Sequence, residues 1–128
     1  MSNTTEEEPE MRYMMMHKLD DSNPALWQPT PGFIERFGAY MEEVSKAGVL
    51  LAAEGLLPSS AGAATITKKS GETTVVDGPF AEAKEVIGGF GIVQVRDQAE
   101  AVEWARRFAE LFDHDIEIEV RRVSEYEG

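Results

Sequence analysis

A chain of 128 residues with 42% hydrophobic and 28% charged positions fits one domain with its own core and leaves little room for a second. It has no Cys, which excludes disulfides, thiolate metal sites and cysteine nucleophiles and is compatible with a reducing compartment. The formal charge of −12 excludes the concentrated basic surface that displaces counterions from phosphates, so no nucleic-acid partner is expected.

The acidity is partly terminal. Glu6, Glu7, Glu8, Glu10, Glu125 and Glu127 face no Lys or Arg in the two tails, and the excess between the tails is half the total. MSNTTEEEPE has no basic start and no apolar run. No later stretch approaches the roughly 18 apolar residues of a membrane span, so a cytoplasmic protein without a membrane partner is expected. Residues 1–10 read as a disordered acidic tail, 11–124 as the single domain and 125–128 as a short C-terminal tail.

In chain order, RYMMMHK predicts a strand with Tyr13, Met15 and His17 on one face and Met14 and Met16 on the other. Both faces are largely apolar, so both need covering. LDDSNPALWQPTP reads as a long loop in which Trp27 is either a lid over a cleft or an anchor. Thr30-Pro31 caps an amphipathic helix whose stripe is Ile34, Phe37, Met41 and Val44, with Gly48 as its C-terminal stop.

VLLAAEGLLP is a second strand, and ATITKK and TTVVD form a hairpin about Ser70-Gly71. After the Asp77-Gly78-Pro79-Phe80 corner and the charged AEAKE segment, GGFGIVQVR predicts the next strand. Asp97 with Glu100 starts a second helix with Val102, Ala105, Ala109 and Phe112 on its buried face. DIEIEVRRV closes the chain, with Ile116, Ile118 and Val120 alternating against Glu117, Glu119 and Arg121.

Two β-α-β halves joined through a hairpin predict an α+β, ferredoxin-like sandwich with an antiparallel sheet and both helices on one face. The bare face, expected to carry Met15, Phe90 and Ile92, would be a large apolar patch in water. A second copy packed across a two-fold axis would cover it, so a homodimer is expected.

Candidate site residues follow from residue type and setting. His17 can serve as a general base or orienting donor. Glu54, inside apolar LLAAEGLLP, is expected to be buried and therefore partnered. Asp77 can accept turn hydrogen bonds or point at a cleft, and Glu82 and Lys84 beside it read as a solvated charge run. Gln94, Phe80 and Trp27 are candidate ligand contacts, whereas His114 in FDHD reads as a turn residue. Gly78 is expected to supply a backbone conformation closed to other residues. Two isolated histidines and scattered carboxylates make no metal motif, and no cofactor is expected.

RYMMMHK, AGVLLAAEGLLPS, VVDGPFAEAKEVIGGFGIVQV and IEIEVRRV, in that order, resemble the YCII-related family in the branch named for its DGPF tetrapeptide. The resemblance implies a dimeric α/β barrel of ferredoxin-like type and an association of DGPF proteins with extracytoplasmic-function sigma factors. An enzyme-like branch of the family pairs a histidine near the start of the first helix with an aspartate, and one related member acts on chlorinated lactones. Phe33 stands where that histidine would be, and a phenylalanine moves no proton. Two function classes stay open. One is a small-molecule-binding protein or cofactor-independent enzyme with His17, Glu54 and Asp77 at its cleft. The other is a non-catalytic, dimeric interaction or regulatory module.

Overall fold

The computed structural model describes residues 10–80 and 84–125; Glu82, residues 1–9 of the expected tail at 1–10 and residues 126–128 of the expected tail at 125–128 lie outside them. Strand β1 (Met11–Asp20) leads through a 3₁₀ turn at Pro24–Trp27 into helix α1 (Pro31–Lys46) and edge strand β2 (Leu50–Gly55). A ribbon of β3 (Ala64–Lys69) and β4 (Glu72–Asp77) precedes β5 (Glu85–Val95), helix α2 (Gln98–Ala109) and β6 (Glu117–Arg122). The main sheet runs β2-β5-β1-β6 with every neighbouring pair antiparallel. This is the ferredoxin-like α+β arrangement, open rather than closed into a barrel, with β3–β4 as a separate two-stranded sheet. No described helix is long and apolar enough to cross a membrane.

Local chemistry accounts for the element boundaries. Thr30 accepts a hydrogen bond from the Phe33 N–H and Pro31 opens α1, while Asp97 accepts from the Glu100 N–H and the Glu100 carboxylate reaches back to the Arg96 N–H. Each cap satisfies donors that a helix start leaves without an internal partner. Ser70 and Gly71 both have positive φ, 53° and 81°, matching the primed turn that a two-residue hairpin favours.

The core lies between one sheet face and the helices. Tyr13 and Met15 of β1, Val93 and Val95 of β5, Tyr40 and Val44 of α1, and Ala101, Trp104 and Ala105 of α2 are buried there. Three sequence expectations change as a result. Met15 faces this core, opposite Gly91, so the face away from the helices carries Met14 and Met16 with Ile92 and Phe90. Ile34 is 56% exposed while Tyr40 takes the buried position on α1, because the helix packs on a line closer to its C-terminal half. On α2, Val102 is exposed and Ala101 and Trp104 turn inward.

Three chain segments meet at Ser59, which is 2% exposed. Its N–H and hydroxyl both donate to Asp21, and its oxygen accepts from the Phe80 N–H at 2.9 Å. The Gly78 N–H donates to the Ala63 carbonyl at 2.8 Å. Gly78 does not have positive φ, which corrects the conformational reading of this glycine. Its requirement is steric: a Cβ there would lie 2.0 Å from the Ser59 carbonyl oxygen.

Gly78→Ala should therefore destabilise the fold by about 1–3 kcal/mol or more through overpacking against backbone that cannot yield. Gly38→Ala, at an α1 position where a Cβ meets nothing within 4 Å, should stabilise it by roughly 0.5–1 kcal/mol. Urea denaturation of both variants checks the opposite signs.

Candidate functional site

β1 and β5 pair residue for residue until His17 stands opposite Gly89; the next pair is Lys18 with Ile87, which leaves Gly88 as an extra residue in β5. Such a bulge bends the strand and re-aims the side chains around it. At this one Gly89 is held by the backbone oxygen of Glu54 as well as by His17, while Gly88 borders the side chains of Leu19 and His17. A Cβ on Gly89 would come within 2.6 Å of His17 Cε1, and one on Gly88 within 2.7 Å of Leu19 Cδ1 and 3.0 Å of His17 Nε2. Gly91 differs, because its Cβ would find ordinary contact at 3.5 Å with Met15. The Gly88-Gly89 pair is thus a seat for the imidazole.

Aromatic side chains complete the surroundings. The His17 ring lies 5.6 Å from Phe108, edge-on at 61°, and 5.6 Å from Phe112. Phe112 is 4.9 Å from Phe33, which stacks on Phe37 at 5.8 Å and 10°. α1 supplies Phe33 and Phe37, the end of α2 supplies Phe108, and the α2–β6 connection supplies Phe112. Together they wall a cavity of about 480 Å³, within the range of small-molecule sites.

The polar groups differ in availability. The Tyr40 hydroxyl donates to the Trp104 carbonyl at 2.9 Å, and burial pushes its pKa up to about 12, so it stays protonated and offers the cavity a ring and no free donor. The Trp27 indole N–H donates to the Asp20 carbonyl at 2.9 Å, so this side chain anchors its loop and also lines the cavity. Arg36 binds both oxygens of Asp113 at 3.0 Å and the Leu111 carbonyl at 2.7 and 3.1 Å, which pins Phe112 between two fixed neighbours.

His114 stands at the bend before β6, as its setting in FDHD suggests, and also lines the cavity, with Nδ1 2.8 Å from the Asp115 carbonyl. A carbonyl only accepts, so Nδ1 donates in this contact. The His17 ring makes no hydrogen bond to a described residue. No fully buried side-chain nitrogen or oxygen among the described residues lacks a partner, so its nitrogens keep some access at a residue that lines the cavity. Burial and, secondarily, the charge of His114 hold His17 below the ordinary histidine pKa.

Of the residues singled out from sequence, His17, Glu54 and Trp27 border this cavity, and Asp77, Phe80 and Gln94 do not. Glu54 is exposed rather than buried, because β2 is the sheet edge, and it has no partner among the described residues. Asp77 ends β4 in the separate ribbon and is exposed. Gln94 pairs with Arg12, and strand alternation turns it away from the helices. Phe80 is held through its N–H at the Ser59 corner. His17, Glu54 and Asp77 therefore form no common acid/base constellation.

Comparison with known proteins follows the same span. A model of the YCII-related domain matches residues 11–126. The chain belongs to the YCII-related family. It is also 31% identical over 118 residues to an uncharacterized protein of Rhizobium meliloti (strain 1021), covering 91% of this chain and 94% of the relative. The family assignment takes in every element that builds the cavity.

Because folding lowers the His17 pKa, the unfolded chain takes up this proton first as pH falls. Stability should be unaffected by His17 well above its ordinary pKa of about 6.5 and should decline as pH drops through that value toward the folded pKa. NMR titration of the ring and urea midpoints between pH 8 and 4 check this, with His17→Phe expected to flatten that part of the slope.

Proposed function

We propose that this YCII-related protein binds an uncharged, largely apolar small molecule in the cavity between sheet and helices, with His17 as its principal polar contact. The observation that carries the reading is the lining itself: aromatic walls surround the His17 imidazole, and no Lys or Arg is among the described lining residues. An anionic ligand would lose its hydration without meeting a cation. Burial also opposes supplying that cation by protonating His17. Binding is favoured over turnover because Asp77 stands outside the cavity and Glu54 is exposed at the sheet edge. The aromatic side chain of Phe33 adds wall and no acid/base function.

Uncharged apolar probes should raise the melting temperature, by the equivalent of about 2.7 kcal/mol at a hundredfold excess over Kd. Their carboxylate analogues should leave it unchanged. Phe37→Trp, which puts bulk into the cavity, should weaken the shift while the variant still unfolds cooperatively. Equal shifts from neutral and carboxylate probes would reject the proposal.

A second reading concerns the opposite sheet face, and we propose that another copy of the chain covers it. Alternation along β1 and β5 puts Met14, Met16, Phe90 and Ile92 there, and the same alternation adds Arg12, Lys18, Glu119 and Arg121. Apolar centre and mixed-sign charges are what a self-complementary two-fold contact uses. Sedimentation analysis should find a dimer that Met16→Glu converts to monomer, with the far-UV spectrum retained.

A further inference from the structure

We infer that the cavity selects a planar aromatic molecule carrying a neutral hydroxyl, whose O–H is received by the imidazole of His17; this rests on the binding function proposed above and names its ligand class. Three observations carry it. The first is shape. Phe33 and Phe37 are near parallel at 10°, whereas Phe108 and Phe112 are near perpendicular at 86°, so the wall joins a stacked ring pair to an edge-to-face pair. A flat aromatic ring can answer both arrangements, by offset stacking and by edge contact, while a puckered aliphatic ring of equal size answers neither.

The second observation is the polar inventory. Tyr40 spends its hydroxyl on Trp104, Trp27 its indole N–H on Asp20, and Asp113 its carboxylate on Arg36. His17 has no such commitment among the described residues; His114, the other imidazole on the lining, gives its Nδ1 to the Asp115 carbonyl and keeps only Nε2, so His17 is the imidazole on the sheet side of the cavity with both nitrogens uncommitted. A neutral imidazole holds one lone pair on nitrogen, which accepts from an O–H. A hydroxyl also avoids the charge that this lining cannot balance. A cation has no better claim, since Asp113 is already neutralised by Arg36 and Glu54 stands exposed on the edge strand.

The third is that the imidazole has a built seat. Gly88 and Gly89 leave out two side chains whose first carbon alone would strike His17 or Leu19, and Phe108 and Phe112 flank the ring at 5.6 Å. A histidine positioned only to fill space would not require its floor to be cleared while its nitrogens remain without partners.

The test measures binding of four probes at pH 8 by protein-observed NMR titration: 2-naphthol, naphthalene, decahydro-2-naphthol and 2-naphthoate. The expected order puts 2-naphthol roughly tenfold tighter than naphthalene, the gain of one hydrogen bond, and tighter than the other two as well. His17→Phe should bring 2-naphthol down to the naphthalene level and leave naphthalene itself within about twofold. His17→Gln, whose amide oxygen still accepts, should restore most of the preference and controls for loss of folding. If 2-naphthol, naphthalene and decahydro-2-naphthol bind alike, the cavity is a general apolar site: the inference fails and the proposed function survives. If none of the four binds, or 2-naphthoate binds tightest, both fail. A preference for 2-naphthol that His17→Phe leaves intact overturns the role given to His17.

Discussion

Excluded volume at the centre of β5 is the constraint on which the rest of the site depends. Two adjacent residues without side chains let a β1 histidine lie close against the neighbouring strand, beside the bulge that bends it. Glycine inside a strand weakens it, through backbone entropy and a missing packing surface. The sheet offsets that cost nearby: β1 and β5 pair along ten positions, and Val93 and Val95, just beyond the glycines, are almost fully enclosed. A well-packed half of the strand thus supports a hollowed half.

The two ends of the helix layer differ in the same way. Toward the C-terminus of α1, Tyr40 and Val44 close on Trp104 and Ala105 in a sealed core tied by the hydrogen bond from Tyr40 to the Trp104 carbonyl. At the other end Phe33, Phe37, Phe108 and Phe112 touch one another but do not reach the sheet fully, and His17 occupies part of the gap. The cavity is the region where large rings face Gly88 and Gly91 of β5 among leucine side chains. Its low polarity follows from that pairing, and the neutral state of the imidazole follows from the low polarity.

Much of the scaffold was legible in the sequence, because alternation in β1 and β6, the Thr30-Pro31 and Asp97 caps and the Ser70-Gly71 turn are local signals with local causes. The site was less so. His17 and Trp27 stood out as isolated residue types, but the aromatic wall is assembled from α1, α2 and the connection after it, and no window of sequence contains it. The adjacent Gly88-Gly89 pair reads in the sequence as the start of a strand, whereas β5 begins at Glu85 and the pair's meaning depends on a register slip that only pairing reveals. Glu54 misled for a related reason: a carboxylate in an apolar run signals burial only if the strand is interior, and edge position is a property of sheet order. The DGPF corner draws the eye through its composition, yet Gly78 is required by the Ser59 carbonyl and Asp77 is exposed on the ribbon.

The β3–β4 ribbon leaves and rejoins the body at nearly one point, since Ala64 pairs with Asp77 and the next residues outward, Ala63 and Gly78, share a hydrogen bond of 2.8 Å. Seen from the four-stranded sheet, everything between those residues is a closed loop with a fixed base. Such a loop can be lengthened, trimmed or re-sequenced at only a slowly growing entropic cost, without re-threading the strands on either side. The fold therefore separates an interchangeable appendage from an invariant chamber, and the short stretch around Ser59 and Gly78 is the joint between them.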